Sequence, residues 1–255
     1  MPTETTVELS GISLHFELRG SGEPLLLLHG GTGCHNDWAY AGREQLEREY
    51  HLIAPDARGH GRSAVLDWPG LPKTLTHRQC ALDTLALLDH LGIERCKAIG
   101  VSMGGNILLH MASMQPERIE AMVAVSATMY FPEQARKIMA AVPAPDAQPA
   151  SEWEAMRKRH HLGEGQIRAL WEWTRSLKDS YDDMNFTPGD LSAIRARTLI
   201  VQGDRDFLYP VEMSVEMYRA IPIAALWIVP NASHGPIFFD KAAHFAETAL
   251  AFLKA

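Results

Sequence analysis

The chain has 255 residues, of which 46% are apolar and 22% charged, the mix of a globular protein and too apolar for general disorder. That length suits one large domain or two small ones. The formal net charge is −7, from 24 basic against 31 acidic residues, which excludes the basic face that a nucleic-acid partner needs. The densest apolar run near the N-terminus, Leu25 to Leu28, falls far short of the ~20 residues that span a bilayer, so no membrane partner is expected. The opening Met-Pro-Thr-Glu-Thr-Thr has no basic or apolar leader pattern. Cys34, Cys80 and Cys96 have neither disulfide-framework nor zinc-ligand spacing and read as reduced, buried thiols. Together these features point to a cytoplasmic protein. Its oligomeric state is not legible.

In chain order, Val7 to Leu9 and Ile12 to Leu18 alternate apolar and polar around Gly11, the pattern of a hairpin of half-buried strands. Leu25 to Leu28 is continuously apolar, as in a strand buried on both faces of a parallel sheet. Similar runs follow at His51 to Ala54, Ala98 to Val101, Met122 to Val125, Thr198 to Val201 and Leu226 to Val229. Between them lie helical patterns. Leu82, Leu85, Leu88 and Leu91 form an i, i+3 stripe, with Thr74 or Thr76 as its cap and Gly92 at its end. Ile107, Met111 and Met114 mark another helix, stopped near Pro116, and Val211 to Ala220 and Lys241 to Lys254 mark two more. Alternating strands and helices predict an α/β fold, with a mostly parallel sheet and an antiparallel N-terminal edge.

Tyr130 to Asp190 breaks the rhythm, with helical patterns, no buried-strand run, and Trp153, Trp171 and Trp173. It reads as a helical lid (130–190) inserted into a core made of 1–129 and 191–255. Its Trp and Met residues, among them Met139, Met156 and Met184, either pack against the core or line an apolar pocket. The run Arg157-Lys158-Arg159-His160-His161 reads as a solvated helix face.

Four motifs carry chemistry. Gly100-Val101-Ser102-Met103-Gly104 follows a predicted strand and precedes a predicted helix, the context in which G-x-S-x-G marks a nucleophile elbow. The flanking glycines leave room for the sharp turn that such a serine needs. Leu28-His29-Gly30-Gly31-Thr32-Gly33 is a glycine-rich loop whose backbone N–H groups can face an oxyanion. The expected donors are Gly31 and Met103, with Thr32 as a replacement for Gly31, and His29 reads as a loop brace. Gln202-Gly203-Asp204-Arg205-Asp206 offers two acids at the end of a strand, and Asn231-Ala232-Ser233-His234-Gly235 offers a histidine at the end of another. Open α/β sheets build their sites at that edge.

With these motifs in this order, the chain resembles the α/β-hydrolase superfamily over nearly its whole length. The matching marks are His29-Gly30-Gly31, Asp56-x-Arg58-Gly59-His60-Gly61-x-Ser63, Gly100-x-Ser102-x-Gly104, Gly203-x-x-Asp206 and Asn231-x-x-His234-Gly235. The resemblance implies an eight-stranded, mostly parallel sheet with a helical cap after the sixth strand, lying over the site. It selects Asp206 over Asp204 as the triad acid and treats Asp56 to Ser63 as a structural loop. The implied triad is Ser102 as nucleophile, His234 as base and Asp206 as its orienting acid. That chemistry calls for no metal and no organic cofactor, and the other histidines lack an H-E-x-x-H spacing.

Serine at the elbow argues against the aspartate-dependent dehalogenases and epoxide hydrolases of the superfamily, and against its cysteine-dependent dienelactone hydrolases. Relatives that cleave C–C bonds of ring-fission products share Ser-Met-Gly-Gly, but usually carry tryptophan where this chain has Gly235-Pro236. Cofactor-free perhydrolases share the same elbow. The expectation is a hydrolase for a small, mostly apolar ester or lactone. A C–C bond hydrolase, a perhydrolase and a non-enzymatic ligand-binding protein of the same fold are the alternatives.

Overall fold

The computed structural model describes residues 2–9, 11–65 and 75–255. Strands β1 (Thr3–Leu9) and β2 (Ile12–Arg19) form the antiparallel hairpin, turning at Gly11 with φ +80°. After them come β3 (Pro24–Leu28), β4 (His51–Pro55), the two-residue β5 (Ala64–Val65), β6 (Cys96–Val101), β7 (Ile119–Val125), β8 (Arg197–Gly203) and β9 (Ala224–Val229). Eight strands run in the order β1-β2-β4-β3-β6-β7-β8-β9, and β5 pairs with β2 off that path. β2 also meets β4 antiparallel, and from β4 to β9 every neighbour is parallel.

The apolar runs form strands because both faces of the sheet are covered. In β3, Leu26 and Leu28 enter one core and Leu25 and Leu27 the other, as the two-residue period requires. The first core packs α2 (His77–His90) and α3 (Met103–Met114) against the sheet, and the second packs α1 (Arg43–Glu47) and the C-terminal helix (Ala242–Lys254).

Thr76 caps α2 by accepting from the Gln79 N–H at 3.0 Å, while Thr74 lies outside the described residues. Gly92, at φ +68°, ends the helix, and the Ile93 N–H returns to the Leu88 carbonyl at 2.8 Å. The i, i+3 stripe on this helix needs correction. Each i+3 step falls about 60° short of a full turn, so Leu82 and Leu91 lie on opposite sides. Leu82 is 37% exposed, and the buried face runs through Ala81, Leu85 and Leu88.

Between β7 and β8 the chain forms α4 (Glu133–Ala141), α5 (Ala150–Arg159) and α6 (Glu164–Ser176), with a bridge between Tyr130 and Asn185 at the neck. The short α7 (Pro188–Leu191) then packs with α3 and with α8 (Val211–Ala220), leading into β8; the C-terminal helix is α9. Among the described residues, no helix is long and apolar enough to cross a membrane. All three cysteines are free and buried, and burial pushes Cys34 and Cys96 up to about 12 and Cys80 further.

Candidate active site

Ser102 stands between β6 and α3 at φ 53°, ψ −114°. A β-carbon on Gly100 would run into the Gly104 carbonyl, and one on Gly104 into the Leu28 carbonyl. Glycine is therefore required on both sides of the turn, and the strained serine is held by its N–H, which donates to the Val125 carbonyl at 2.8 Å.

The loops after β8 and β9 bring Asp206 and His234 to the same edge. His234 Nε2 lies 2.8 Å from Ser102 Oγ, and its Nδ1 lies 2.7 Å from Asp206 Oδ2. Asp206 Oδ1 accepts from the backbone N–H groups of Leu208 and Tyr209 at 2.8 and 3.1 Å, and Oδ2 accepts from Gln202 Nε2 at 2.8 Å. Burial works to raise the Asp206 carboxyl. The His234 imidazole and the two amides outweigh it and hold the group below the usual carboxylate range. Asp204 points elsewhere: its Oδ1 accepts from the Ala232 N–H at 3.0 Å and ties the two loops together. Of the two acids that the sequence offers, the structure brings Asp206 to the histidine.

The loop after β3 is clamped by three histidines. His29 Nε2 accepts from the Ala57 N–H at 2.9 Å, and His29 Nδ1 faces the Gly30 carbonyl at 2.7 Å. Thr32 donates its N–H to His60 Nε2 at 3.2 Å and accepts from His160 Nε2 at 3.0 Å; His160 Nδ1 accepts from the Gly61 N–H at 2.9 Å. Burial lowers His29, takes His60 well below the ordinary value, and takes His160 to about 4, so all three are neutral at pH 7. No acceptor among the described residues takes the Gly31 N–H. The Met103 N–H opens α3 as the first residue of the helix, where no intrahelical partner exists.

His160 corrects the reading of 157–161 as a solvated face. Arg157 and Lys158 are exposed, but α5 ends at Arg159, and the extended backbone of His160 turns its ring inward, where it is 2% exposed. Neither His60 nor His160 was legible as a loop clamp. Histidine in the Asp56 to Ser63 loop was one signal, but His160, which completes the clamp on Thr32, comes from within the insertion.

Two spaces meet at Ser102. An inner cavity of about 270 Å³ is walled mainly by Phe131, Ile138, Met139, Val142, Trp173 and Leu177, with His77 and Asn106 as its polar edge. An outer cleft of about 280 Å³ runs between Asp37, Tyr40, Arg159, Phe238 and Phe239. Of the tryptophans in the insertion, Trp173 lies over Gly31, whereas Trp153 and Trp171 stack edge-on at 4.6 Å. Met156 and Met184 are buried packing.

A family model of the alpha/beta hydrolase fold matches residues 23–161. The chain belongs to the α/β-hydrolase family. RutD of Pseudomonas savastanoi pv. phaseolicola, named as a carbamate hydrolase, is 28% identical to this hydrolase over 250 residues, covering 91% of this chain and 94% of that protein. A non-heme haloperoxidase of Rhodococcus erythropolis is 27% identical over 259 residues, covering 88% and 90%. Among solved structures, the 2-hydroxy-6-oxo-6-phenylhexa-2,4-dienoate hydrolase of Rhodococcus sp. strain RHA1 superposes with a TM-score of 0.81 at 19% identity, covering 100% of this chain and 99% of that one. That likeness speaks to the fold alone.

Proposed function

We propose that this α/β hydrolase is a serine esterase or lactonase that works through an acyl-enzyme on Ser102. The observation that carries the reading is the unbroken line from Asp206 through His234 to Ser102, at 2.7 and 2.8 Å, opening on an apolar cavity. In this reading His234 Nε2 takes the hydroxyl proton as Ser102 Oγ attacks the substrate carbonyl. Asp206, ionised and fully hydrogen-bonded, holds the Nδ1–H tautomer and stabilises the imidazolium. The Gly31 and Met103 N–H groups receive the oxyanion. His234 returns the proton to the leaving alkoxide, and a water activated by the same imidazole then releases the acid.

The two spaces divide the substrate. The inner cavity suits a short apolar acyl chain and the outer cleft the alcohol portion. Discrimination by such walls is worth about 1–3 kcal/mol per methylene, so a range of esters is expected to react.

The test is a panel of p-nitrophenyl esters, lactones, carbamates and ring-fission products, run on wild type and Ser102→Ala beside a fluorophosphonate label. Ester or lactone turnover that is lost in the variant, with labelling lost too, supports the reading. Turnover of ring-fission products alone would move the assignment to C–C bond hydrolysis. The elbow Ser102-Met103-Gly104-Gly105 and the haloperoxidase relative also favour perhydrolysis, in which hydrogen peroxide replaces water on the same acyl-enzyme and leaves as a peracid.

A further inference from the structure

Strand pairing creates a second cluster at the N-terminal edge of the sheet. His15 on β2 stands opposite Thr6 on β1, and Glu4, two residues from Thr6, shares its face. His35, from the turn that follows the Gly31 loop, comes over both. Glu4 Oε2 lies 3.7 Å from His15 Nε2, Glu4 Oε1 lies 3.9 Å from His35 Nε2, and the three ligating atoms lie within 4.8 Å of one another.

Both imidazoles are buried, at 5% and 2% exposure, and neither Nε2 atom has a hydrogen-bond partner among the described residues. Two orphaned ring nitrogens converging on one point call for an explanation, because an unpaired buried polar atom costs about 1–3 kcal/mol. The opposite edge of each ring is anchored. His35 Nδ1 is 2.9 Å from Asp56 Oδ1, and that oxygen also accepts the His35 N–H at 2.8 Å. His15 Nδ1 is 3.3 Å from Thr6 Oγ1. A carboxylate behind a histidine fixes the tautomer that presents Nε2 as a lone pair, the arrangement found behind metal-ligating imidazoles.

We propose that Glu4, His15 and His35 form a binding site for a divalent cation of the zinc type. Two imidazoles and a carboxylate suit Zn²⁺, and bonds of about 2.1 Å place tetrahedral ligands roughly 3.4 Å apart. Glu4 already stands at 3.7 and 3.9 Å from the two rings, and all three ligating atoms lie within 4.8 Å, so closing on a cation takes small inward shifts of Glu4 and of the rings. Three protein ligands leave the fourth position of a tetrahedral site to water. Arg62 Nη1 now holds Glu4 Oε2, and its side chain is 42% exposed, free to swing into solvent as the cation takes the carboxylate. A bound ion would tie the edge strand β1 to the segment that leads out of the Gly31 loop. No step at Ser102 involves it, so hydrolysis should survive chelation.

The experiment uses the full chain, stripped with EDTA and exchanged into chelator-free buffer. Zn²⁺ is titrated against a chromophoric chelator, and thermal melts are recorded with and without one equivalent. Co²⁺ serves as a spectroscopic substitute. Wild type should take up one equivalent and melt higher when loaded. His15→Gln and His35→Gln should each lose that uptake and the shift, while the surface variant Glu4→Gln, which leaves the core intact, should bind at least about tenfold more weakly. His234→Gln should bind as wild type does, which separates this cluster from the one at Ser102. Absence of stoichiometric uptake by wild type would overturn the proposal and leave an ordered water as the partner of the two rings. Uptake that is unchanged in Glu4→Gln and in both histidine variants would overturn it equally.

Discussion

The backbone of Thr32 is held from both sides, its N–H by His60 Nε2 at 3.2 Å and its carbonyl by His160 Nε2 at 3.0 Å. Its amide is therefore engaged, whereas the neighbouring Gly31 amide, the proposed oxyanion donor, has no acceptor among the described residues. His60→Ala and His160→Gln should each lower kcat by about tenfold or more with little change in KM, because a loosened donor weakens the transition state more than the ground state. Steady-state kinetics on p-nitrophenyl acetate read the split. A rise in KM at constant kcat would show that the clamp serves substrate binding instead.

Gly104 is pressed against the Leu28 carbonyl, with no flexible side chain there to move aside. Gly104→Ala should therefore destabilise the fold by roughly 3 kcal/mol or more, measured by urea unfolding, besides displacing the serine. A variant of wild-type stability would mean that the elbow is slacker than its geometry implies.

The two acids after β8 should separate cleanly. Asp206→Asn keeps the shape but favours the wrong imidazole tautomer, and should lower kcat by up to ~10⁴. Asp204→Asn should leave kcat within a few-fold and act on stability through the Ala232 contact. The reverse ranking would move the acid to Asp204.

How far the sequence reaches is visible in these residues. Leu25 to Leu28 announced a strand because all four side chains are buried, two on each face. That Ser102, Asp206 and His234 meet at one edge was legible because each sits in a short local motif at a strand end. His60, His160, and the cluster of Glu4, His15 and His35 were not, because each depends on pairing between segments far apart in the chain. Leu82 was misread because an i, i+3 stripe drifts around the helix.

Trp173 lies over Gly31, walls the inner cavity, and has a buried Nε1–H without a partner among the described residues. Trp173→Phe removes that orphan donor and shortens the wall. Stability should change by less than about 1 kcal/mol, since the unpaired group already costs free energy. The preferred acyl chain should lengthen. Rates across acetate, butyrate, hexanoate and octanoate esters check this, and an unchanged profile would remove Trp173 from the wall that selects the acyl group.

Stability should fall with acid in two stages. Burial takes His110 and His160 down to about 4, against about 6.5 in the unfolded chain. Between those values the unfolded state binds the extra protons, so stability is full above pH 6.5 and drops as pH falls toward 4. Each histidine contributes up to about 1.4 kcal/mol per pH unit within that window. Burial works to raise Asp183, but its bond to His77 and the backbone N–H groups of His77 and Arg78 hold it at about 2. Its contribution is present above about pH 4 and is lost between 4 and 2, as the carboxylate is finally protonated. Urea midpoints and slopes measured from pH 8 to pH 4 should trace the first stage. In His160→Gln the dependence should flatten by about one proton, whatever the variant's absolute stability. A wild-type curve that is level from pH 7 to pH 5 would show that these imidazoles are solvated well enough to charge within the fold.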